Sequence, residues 1–353
     1  MDERYFSEKL VKWYELNKRD LPWRDSNDPY NIWLSEIILQ QTRVNQGLPY
    51  YLRFIERFPN VVALAEAKED EVLRLWQGLG YYSRARNLHK CAKLVSSSPF
   101  NGSFPTNYSI LKQLPGIGDY TAAAIASFAA REIVPVIDGN VFRVLARVFG
   151  LSDDISSGAG KKRFRKLAET LISQNSPDIY NQAIMDFGAT WCTPRTPNCE
   201  ACVFKKGCFA FNNDLQDQLP VKAKARKPRK RYFYYFVVRS GKSLLMRKRK
   251  ADDIWQGLYD FFLVERDRPQ NVMELLRART VKQPDPQRVK ISKEYKHILS
   301  HQTIISRFTV IDNDDVDLES FAEPALEYYL IQKIHELPKP VLISRFLTDY
   351  DFL

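Results

Sequence analysis

Four cysteines lie close together in the sequence and could ligate a metal. Cys192, Cys199, Cys202 and Cys208 have the spacing C-x6-C-x2-C-x5-C. Four thiols in one loop predict a metal site or two disulfides. The chain start, MDERYFSEKL, lacks the basic and then apolar layout of a secretory signal, which favours a reducing compartment. In a reducing compartment, clustered cysteines bind metal more often than they form crosslinks. Zinc usually takes two closely spaced pairs and this loop has one, so the spacing favours an iron–sulfur cluster, with a structural zinc knuckle as the alternative.

Two acidic residues stand where a carboxyl group could take part in catalysis. Glu36 falls in the apolar stretch NIWLSEIILQQT, where burial would keep the carboxyl protonated near neutral pH and able to act as an acid. The alternative is a surface glutamate that pairs with a base such as Arg43. Asp138 precedes Gly139 and Asn140 at a predicted helix start. It is therefore either a helix N-cap or a carboxylate that stabilises a developing cation.

A glycine-rich turn joins two predicted helices in LKQLPGIGDYTAAAIASFAA, residues 111–130. Gly116 and Gly118 permit positive φ and leave backbone amides uncovered. The next helix is predicted to start at about Asp119, so its first N–H groups can point at a phosphate. The segment resembles a helix-hairpin-helix motif, which holds the DNA backbone without reading its sequence. An ordinary helix–turn–helix corner is the alternative.

The charge of the chain favours a polyanionic partner. Among 353 residues, 53 Lys and Arg outnumber 42 Asp and Glu, which gives a formal net charge of +11. Seven of the ten residues in 222–231 are basic, and RKRK follows at 247–250. Nucleic acid is the first candidate and an anionic membrane surface the second, although 222–231 alone could be a solvated linker. No apolar run approaches the roughly 20 residues of a membrane-spanning helix.

The elements that must position these residues differ between the two parts of the chain. Residues 1–220 are predicted helical, 221–231 form a basic linker, and 232–353 form an α+β domain. Helices are predicted at 4–17, 31–44, 69–76, 82–97, 120–130, 139–149, 161–174 and 178–190, and then near 270–278 and 324–335. Strands are predicted at 232–238, 243–246, 258–264 and 303–311. The fold class is therefore multidomain, with an all-α part followed by an α+β part.

Six motifs in register resemble the adenine DNA glycosylases of the MutY type. They are L-P-W-R, W-L-S-E-x-x-L-Q-Q-T, G-L-G-Y-Y-x-R-A-R-N-L, L-P-G-I-G-x-Y-T-A-A-A-I, V-x-D-G-N-V-x-R-V and the four-cysteine loop. The resemblance runs from about residue 21 to 208 and resumes in the last third of the chain. It implies a base-excision repair enzyme that removes adenine mispaired with 8-oxoguanine or guanine. It further implies a [4Fe–4S] cluster held by the four cysteines in the 192–208 loop.

The resemblance also implies roles for individual residues. Glu36 would protonate the adenine and help activate water, and Asp138 would stabilise the oxocarbenium-like sugar. Tyr120 and Asn140 would support that site. An adenine pocket would include Trp23, Arg24 and Gln182, and the DNA and lesion contacts would come from Gln41, Tyr81, Gly116 and Gly118.

The last third resembles the Nudix-like domain that reads 8-oxoguanine in this family. Ser300 and His301 match its lesion-sensing loop, although Leu299 stands where the family usually has Phe. Without the resemblance, His301 is simply a solvent-facing histidine at a strand end. No acidic cluster of the R-E-x-x-E-E type is present, so metal-dependent pyrophosphatase activity is not expected.

One position separates the closely related families. Endonuclease III carries a lysine, which forms a Schiff base with the sugar, where this chain has Tyr120. The resemblance therefore implies a monofunctional glycosylase. An oxidised-pyrimidine glycosylase with lyase activity and a non-catalytic iron–sulfur DNA-binding protein are the alternatives. We expect a monomer that binds double-stranded DNA and no membrane, in the bacterial cytoplasm and associated with the nucleoid.

Overall fold

The computed structural model describes residues 1–223, 228–250, 254–280, 284–316, 321 and 325–352. The chain divides into two compact units. The first contains Met1–Glu66 and Asn87–Lys224, and the second contains Ala67–Arg86 and Ala225–Leu353. Within the described ranges, no helix combines the length and the apolar character that crossing a membrane requires.

Helices form the N-terminal two thirds of the chain. In chain order they are α1 Glu3–Asn17, α2 Pro29–Leu39, α3 Val44–Arg57, α4 Val61–Glu66, α5 Glu69–Leu75, α6 Ser83–Ser96, α7 Tyr108–Leu111, α8 Asp119–Ala130, α9 Gly139–Phe149, α10 Gly158–Leu171, α11 Pro177–Asp186 and α12 Phe209–Asn212.

Local sequence signals set the ends of several helices. The Asp2 carboxylate accepts a hydrogen bond from the Tyr5 amide at the start of α1, and Ser157 caps α10 in the same way through Gly160. Helix α9 ends at Phe149 and is capped by Gly150, whose φ of 74° is in the left-handed region that glycine tolerates best. The apolar faces of α1, α9, α10 and α11 meet in one core, which includes Phe6 and Phe164, both fully buried. This core holds the starts of α9 and α11 in fixed positions.

An eight-stranded sheet forms the centre of the second unit. Its strands are β1 Arg229–Ser240, β2 Ser243–Lys248, β3 Tyr259–Asp260, β4 Phe262–Arg266, β5 Lys290–Ile291, β6 Tyr295–Ile298, β7 Gln302–Asp312 and β8 Leu326–Leu330. Strand β1 pairs in parallel with β7 and antiparallel with β2 and β4. Helices α13 Val272–Arg277, α14 Ile331–Ile334 and α15 Val341–Asp349 follow in the chain. The Phe308 ring stacks on Phe346 of α15 at 4.1 Å between centroids and on Tyr235 of β1 at 4.9 Å, so one face of the sheet is covered by an aromatic core.

The predicted order, a helical part followed by a sheet-containing part, is confirmed. The main error concerns 324–335, predicted as a helix: residues 326–330 form β8, paired with β2, and only 331–334 are helical. The run LEYYL has the alternating and aromatic character of a strand, and its neighbour β2 is distant in sequence. The helix predicted at 31–44 ends at Leu39. Helices α3, α4, α12 and α15 and the short strands β5 and β6 were not predicted.

Candidate active site

A cavity of about 920 Å³ in the first unit brings together most of the predicted catalytic and pocket residues. Helix α2 contributes Glu36, the first turn of α8 contributes Tyr120, and the start of α9 contributes Asp138 and Asn140. The predicted pocket residues Trp23, Arg24 and Gln182 line the same cavity. Residues from five segments of the sequence therefore surround one space that is open to a ligand.

Glu36 is the buried acid of this cavity. Glu36 is only 6 % exposed, and its Oε2 accepts a hydrogen bond of 2.6 Å from the Tyr120 hydroxyl. Burial raises the pKa of Glu36 to about 7, and nearby Asp138 raises it as well, while the Tyr120 hydrogen bond and the Arg24 charge lower it. The alternative of a surface glutamate is wrong, because the apolar residues of α2 surround this carboxyl group. Near neutral pH the group can hold a proton and release it.

Asp138 acts as an N-cap and also faces the cavity. Its Oδ1 accepts the Val141 amide at 2.8 Å, and its Oδ2 accepts the Asn140 side-chain amide at 2.7 Å. Burial raises the pKa of the carboxyl group, whereas these hydrogen bonds lower it. The cap reading is therefore confirmed, and it leaves the carboxylate on the cavity wall. A carboxylate held this firmly can stabilise a positive charge without moving.

A buried ion-pair network lies beside the carboxyl groups, and the sequence reasoning missed two of its members. Asp186 on α11 is 0 % exposed and accepts hydrogen bonds from both Arg19 and Arg24. Arg19 lines the cavity together with Arg24. The motif R-D-L-P-W-R places two arginines around one turn, and this spacing could have identified Arg19. No local sequence pattern indicates Asp186.

Arg143 and Arg147, also missed, connect α9 to the cysteine loop. Arg143 donates to the Cys192 carbonyl at 2.8 Å and to the Asn140 side chain at 2.8 Å. Arg147, 3 % exposed, donates to the carbonyls of Thr193 and Pro194. Their spacing of four residues on a predicted helix was the signal that could have identified them.

The glycine turn of the hairpin has the predicted backbone. Gly116 has a φ of 76°, and a Cβ placed there would lie 2.7 Å from the Cβ of Asn87, so both conformation and space require glycine. Gly118 is extended and precedes α8 without a side-chain cap. The first amides of α8 are accordingly not covered by a capping side chain.

The four clustered cysteines are free thiols, so the disulfide alternative is wrong. Burial raises the pKa of Cys199, Cys202 and Cys208, and the other thiols of the loop raise the pKa of each further. Arg147 lies 3.5 Å from the Cys192 sulfur. Among the described residues, no group of three or more His, Cys, Asp or Glu is gathered closely enough for a single metal ion.

The residues predicted to contact the lesion lie in three loops. Gln41 follows α2 in the first unit with a φ of 55°. In the second unit, Tyr81 has a φ of 48°, and its hydroxyl is hydrogen-bonded to that of Ser300 in the turn between β6 and β7. His301 is exposed in that turn and accepts the Arg229 amide through its carbonyl. Left-handed backbone at non-glycine residues is uncommon and concentrates at functional sites. The Tyr81–Ser300 contact was not predicted, because the two residues are 219 positions apart.

Comparisons with known proteins agree with this geometry. Residues 34–173 match the HhH-GPD superfamily of base excision DNA repair proteins. The adenine DNA glycosylase of Buchnera aphidicola subsp. Schizaphis graminum is 32% identical over 345 residues, which cover 95% of this chain and 96% of that protein. The human adenine DNA glycosylase is 42% identical over 223 residues, 61% of this chain and 41% of its own length.

Solved structures share the fold of the helical part. A thermostable thymine-DNA glycosylase superposes with a TM-score of 0.54 at 29% identity and covers 60% of this chain and 97% of its own. The endonuclease III of a non-covalent complex with DNA superposes with a TM-score of 0.53 at 19% identity, over 61% of this chain and 99% of its own, a likeness of fold alone.

The hairpin with an uncapped following helix, and the cavity that holds a buried acid beside a fixed carboxylate, define a helix-hairpin-helix base-excision DNA repair protein. Within that class the full-length similarity is decisive, since it extends through the sheet-containing part. The chain belongs to the adenine DNA glycosylase family.

Proposed function

We propose that this chain is a monofunctional DNA N-glycosylase that excises adenine mispaired with 8-oxoguanine or guanine. The observation that carries the proposal is that Glu36 and Asp138 line one cavity, with Tyr120 hydrogen-bonded to Glu36. That adenine is the excised base is inferred from the family to which the chain belongs. We infer the base opposite the adenine from the residues predicted to contact the lesion.

The flipped adenine would enter the cavity lined by Trp23, Arg24 and Gln182. Protonated Glu36 donates its proton to N7 of the adenine, and the C1′–N9 bond breaks with its electron pair leaving on the base. The sugar becomes an oxocarbenium-like cation, which the Asp138 carboxylate stabilises. Ionised Glu36 then takes a proton from the water that attacks C1′, so adenine and an abasic sugar result and the acid is restored.

Tyr120 supports the acid in this scheme. Its hydroxyl donates to Glu36 Oε2 at 2.6 Å and so fixes the carboxyl group in one orientation. A phenol cannot form the imine through which a lysine cleaves the DNA strand. Asn140 holds Asp138 in place through its 2.7 Å side-chain hydrogen bond.

The decisive experiment uses a duplex with one adenine opposite 8-oxoguanine, analysed with and without hot alkali. Strand cleavage only after alkali supports excision without lyase activity. Cleavage without alkali would instead favour an oxidised-pyrimidine type glycosylase with lyase activity. Tight binding with no cleavage in either arm would favour a non-catalytic DNA-binding protein. A duplex with adenine opposite thymine is the matched control.

The second unit would read the base opposite the adenine. We infer that the α+β part, 232–353, is Nudix-like, and that Tyr81 and Ser300, whose hydroxyls are hydrogen-bonded to each other, contact the lesion. His301 is exposed in the same turn as Ser300. Gln41 is predicted separately to wedge into the duplex. The basic segment 222–231, of which residues 224–227 lie outside the described part, would add charge complementary to the DNA backbone.

The donor set of the 192–208 loop fits a [4Fe–4S] cluster. Four free thiols of one loop affect one another's pKa, and cysteine thiolates are the usual ligands of such clusters. A cluster held by Cys192, Cys199, Cys202 and Cys208 would supply a rigid crosslink of the loop. Iron and sulfide analysis tests this: Cys199→Ser should lose iron, while Cys91→Ala, at a buried cysteine of α6, should retain it.

A further inference from the structure

Asp186 has an arrangement that the mechanism above does not use. Its Oδ1 accepts Arg19 Nε at 2.9 Å and Arg24 Nη2 at 2.5 Å, and its Oδ2 accepts Arg24 Nη1 at 2.6 Å and the Arg19 amide at 3.2 Å. The carboxylate is 0 % exposed, and the partner arginines lie 162 and 167 positions away. A fully buried carboxylate with two guanidinium partners is costly unless its geometry is exact.

Both arginines extend from Asp186 to the cavity wall. Arg24 binds Asp186 with two nitrogens and also donates to the Arg19 carbonyl at 3.1 Å. These three bonds fix the guanidinium plane against α11, since a bidentate pair allows one orientation only. Asp186 does not line the cavity, so any effect on the reaction must pass through its partners.

Glu36 lines the same cavity as Arg24 and lies within its electrostatic reach. The positive charge of Arg24 lowers the pKa of Glu36, and Glu36 in turn raises that of Arg24. The remaining groups that face Glu36 are the Tyr120 hydroxyl, which lowers its pKa, and Asp138, which raises it. The groups that face Asp186 are Arg19, Arg24 and, through space, Tyr14, whose own pKa Asp186 raises.

Resting on the proposed adenine excision, we propose that Asp186 is a positioning residue: it fixes the Arg24 guanidinium against α11 so that this cation cannot close on Glu36. Asp186 and Glu36 compete for one arginine. The bidentate bond to Asp186 leaves Glu36 hydrogen-bonded to Tyr120 and able to keep its proton. If Arg24 were released, it would pair with Glu36, ionise it and remove the acid at neutral pH.

The test is the pH profile of single-turnover adenine excision, from which the upper midpoint reports the ionisation of Glu36. Asp186→Asn should move this midpoint down by about one pH unit, which is about a tenfold loss of rate at pH 8. Arg24→Met should move it up, because the competing cation is gone. The double variant should behave as Arg24→Met does. Its midpoint should therefore lie above that of the wild type, whereas the midpoint of Asp186→Asn alone lies below it.

A uniform loss of rate at every pH in Asp186→Asn would overturn the proposal and assign Asp186 a purely structural role. A double variant that kept the low midpoint would also overturn it. Should Asp186→Asn fail to fold, the direction of the Arg24→Met shift decides alone, since an unchanged or lowered midpoint contradicts the competition. Failure of the wild-type protein to excise adenine would instead refute the proposed function.

Discussion

Replacing Glu36 by glutamine should abolish adenine excision and at the same time stabilise the protein at alkaline pH. The neutral amide cannot donate the proton, but its oxygen can still accept the Tyr120 hydroxyl. Above neutral pH the wild-type side chain must carry a charge although the residue is only 6 % exposed, which destabilises the fold. The neutral amide avoids this cost, so the variant is more stable.

The magnitude follows from the pKa of this carboxyl group, raised from 4.5 to about 7 by folding. The folded protein holds the proton to a higher pH than the unfolded chain does. The free energy of unfolding of the wild type therefore falls as pH rises from 4.5 to 7 and is level above that range. At pH 8, Glu36→Gln should exceed the wild type by up to about 3 kcal/mol, and at pH 4 by almost nothing.

Urea unfolding followed by the helical circular dichroism signal, at several values between pH 4 and 8, measures this difference. Glu56→Gln is the matched control, because Glu56 is an exposed glutamate on α3 and makes the same chemical change outside the cavity. The control should follow the wild type at all pH values. A Glu36→Gln difference that stayed level with pH, or a variant less stable than the wild type at pH 8, would refute the argument that Glu36 is a buried acid.

Three further predictions concern the stability of the hairpin turn, the reading of the lesion and the affinity for DNA. Gly116→Ala should lower the free energy of unfolding by ~1–2 kcal/mol, because alanine is strained at a φ of 76° and its methyl group would meet Asn87, whereas Gly118→Ala, with open space around it, should unfold like the wild type in the same urea titration. Ser300→Ala combined with His301→Ala should reduce the ratio of excision rates for adenine opposite 8-oxoguanine and opposite guanine; an unchanged ratio would place lesion reading elsewhere. The affinity for duplex DNA, measured by fluorescence anisotropy, should fall steeply with salt as phosphate contacts release counterions, and a level response would contradict the contribution of the basic surface.

The parts of the site that could be predicted from the sequence are those with a local signal. Asp138 precedes Gly139 at a helix start, Gly116 lies in a turn, and Glu36 is surrounded by apolar neighbours in sequence as well as in space. The structure confirms the position of each of these residues, while their catalytic and binding roles stay predictions.

Contacts between distant residues could not be predicted in this way. Asp186 is an unremarkable acid at the end of α11 until the fold brings two arginines to it from more than 160 positions away. Strand β8 was taken for helix because its identity depends on pairing with β2, about 80 residues earlier in the chain. In both cases the deciding partner is defined by tertiary structure and leaves no pattern in the local sequence.

The grouping of residues 67–86 with the C-terminal part has a consequence for protein engineering. Asp70 pairs with Lys248, Arg86 donates to the Gln256 carbonyl, and Gln77 is hydrogen-bonded to Ser344. An expression fragment that stops at residue 223 would retain this early segment but lose all of these partners. Protease nicking and rapid amide exchange should therefore begin between α4 and α6, far from the new C-terminus in sequence. Truncation after residue 223 would therefore destabilise the chain most within its first hundred residues.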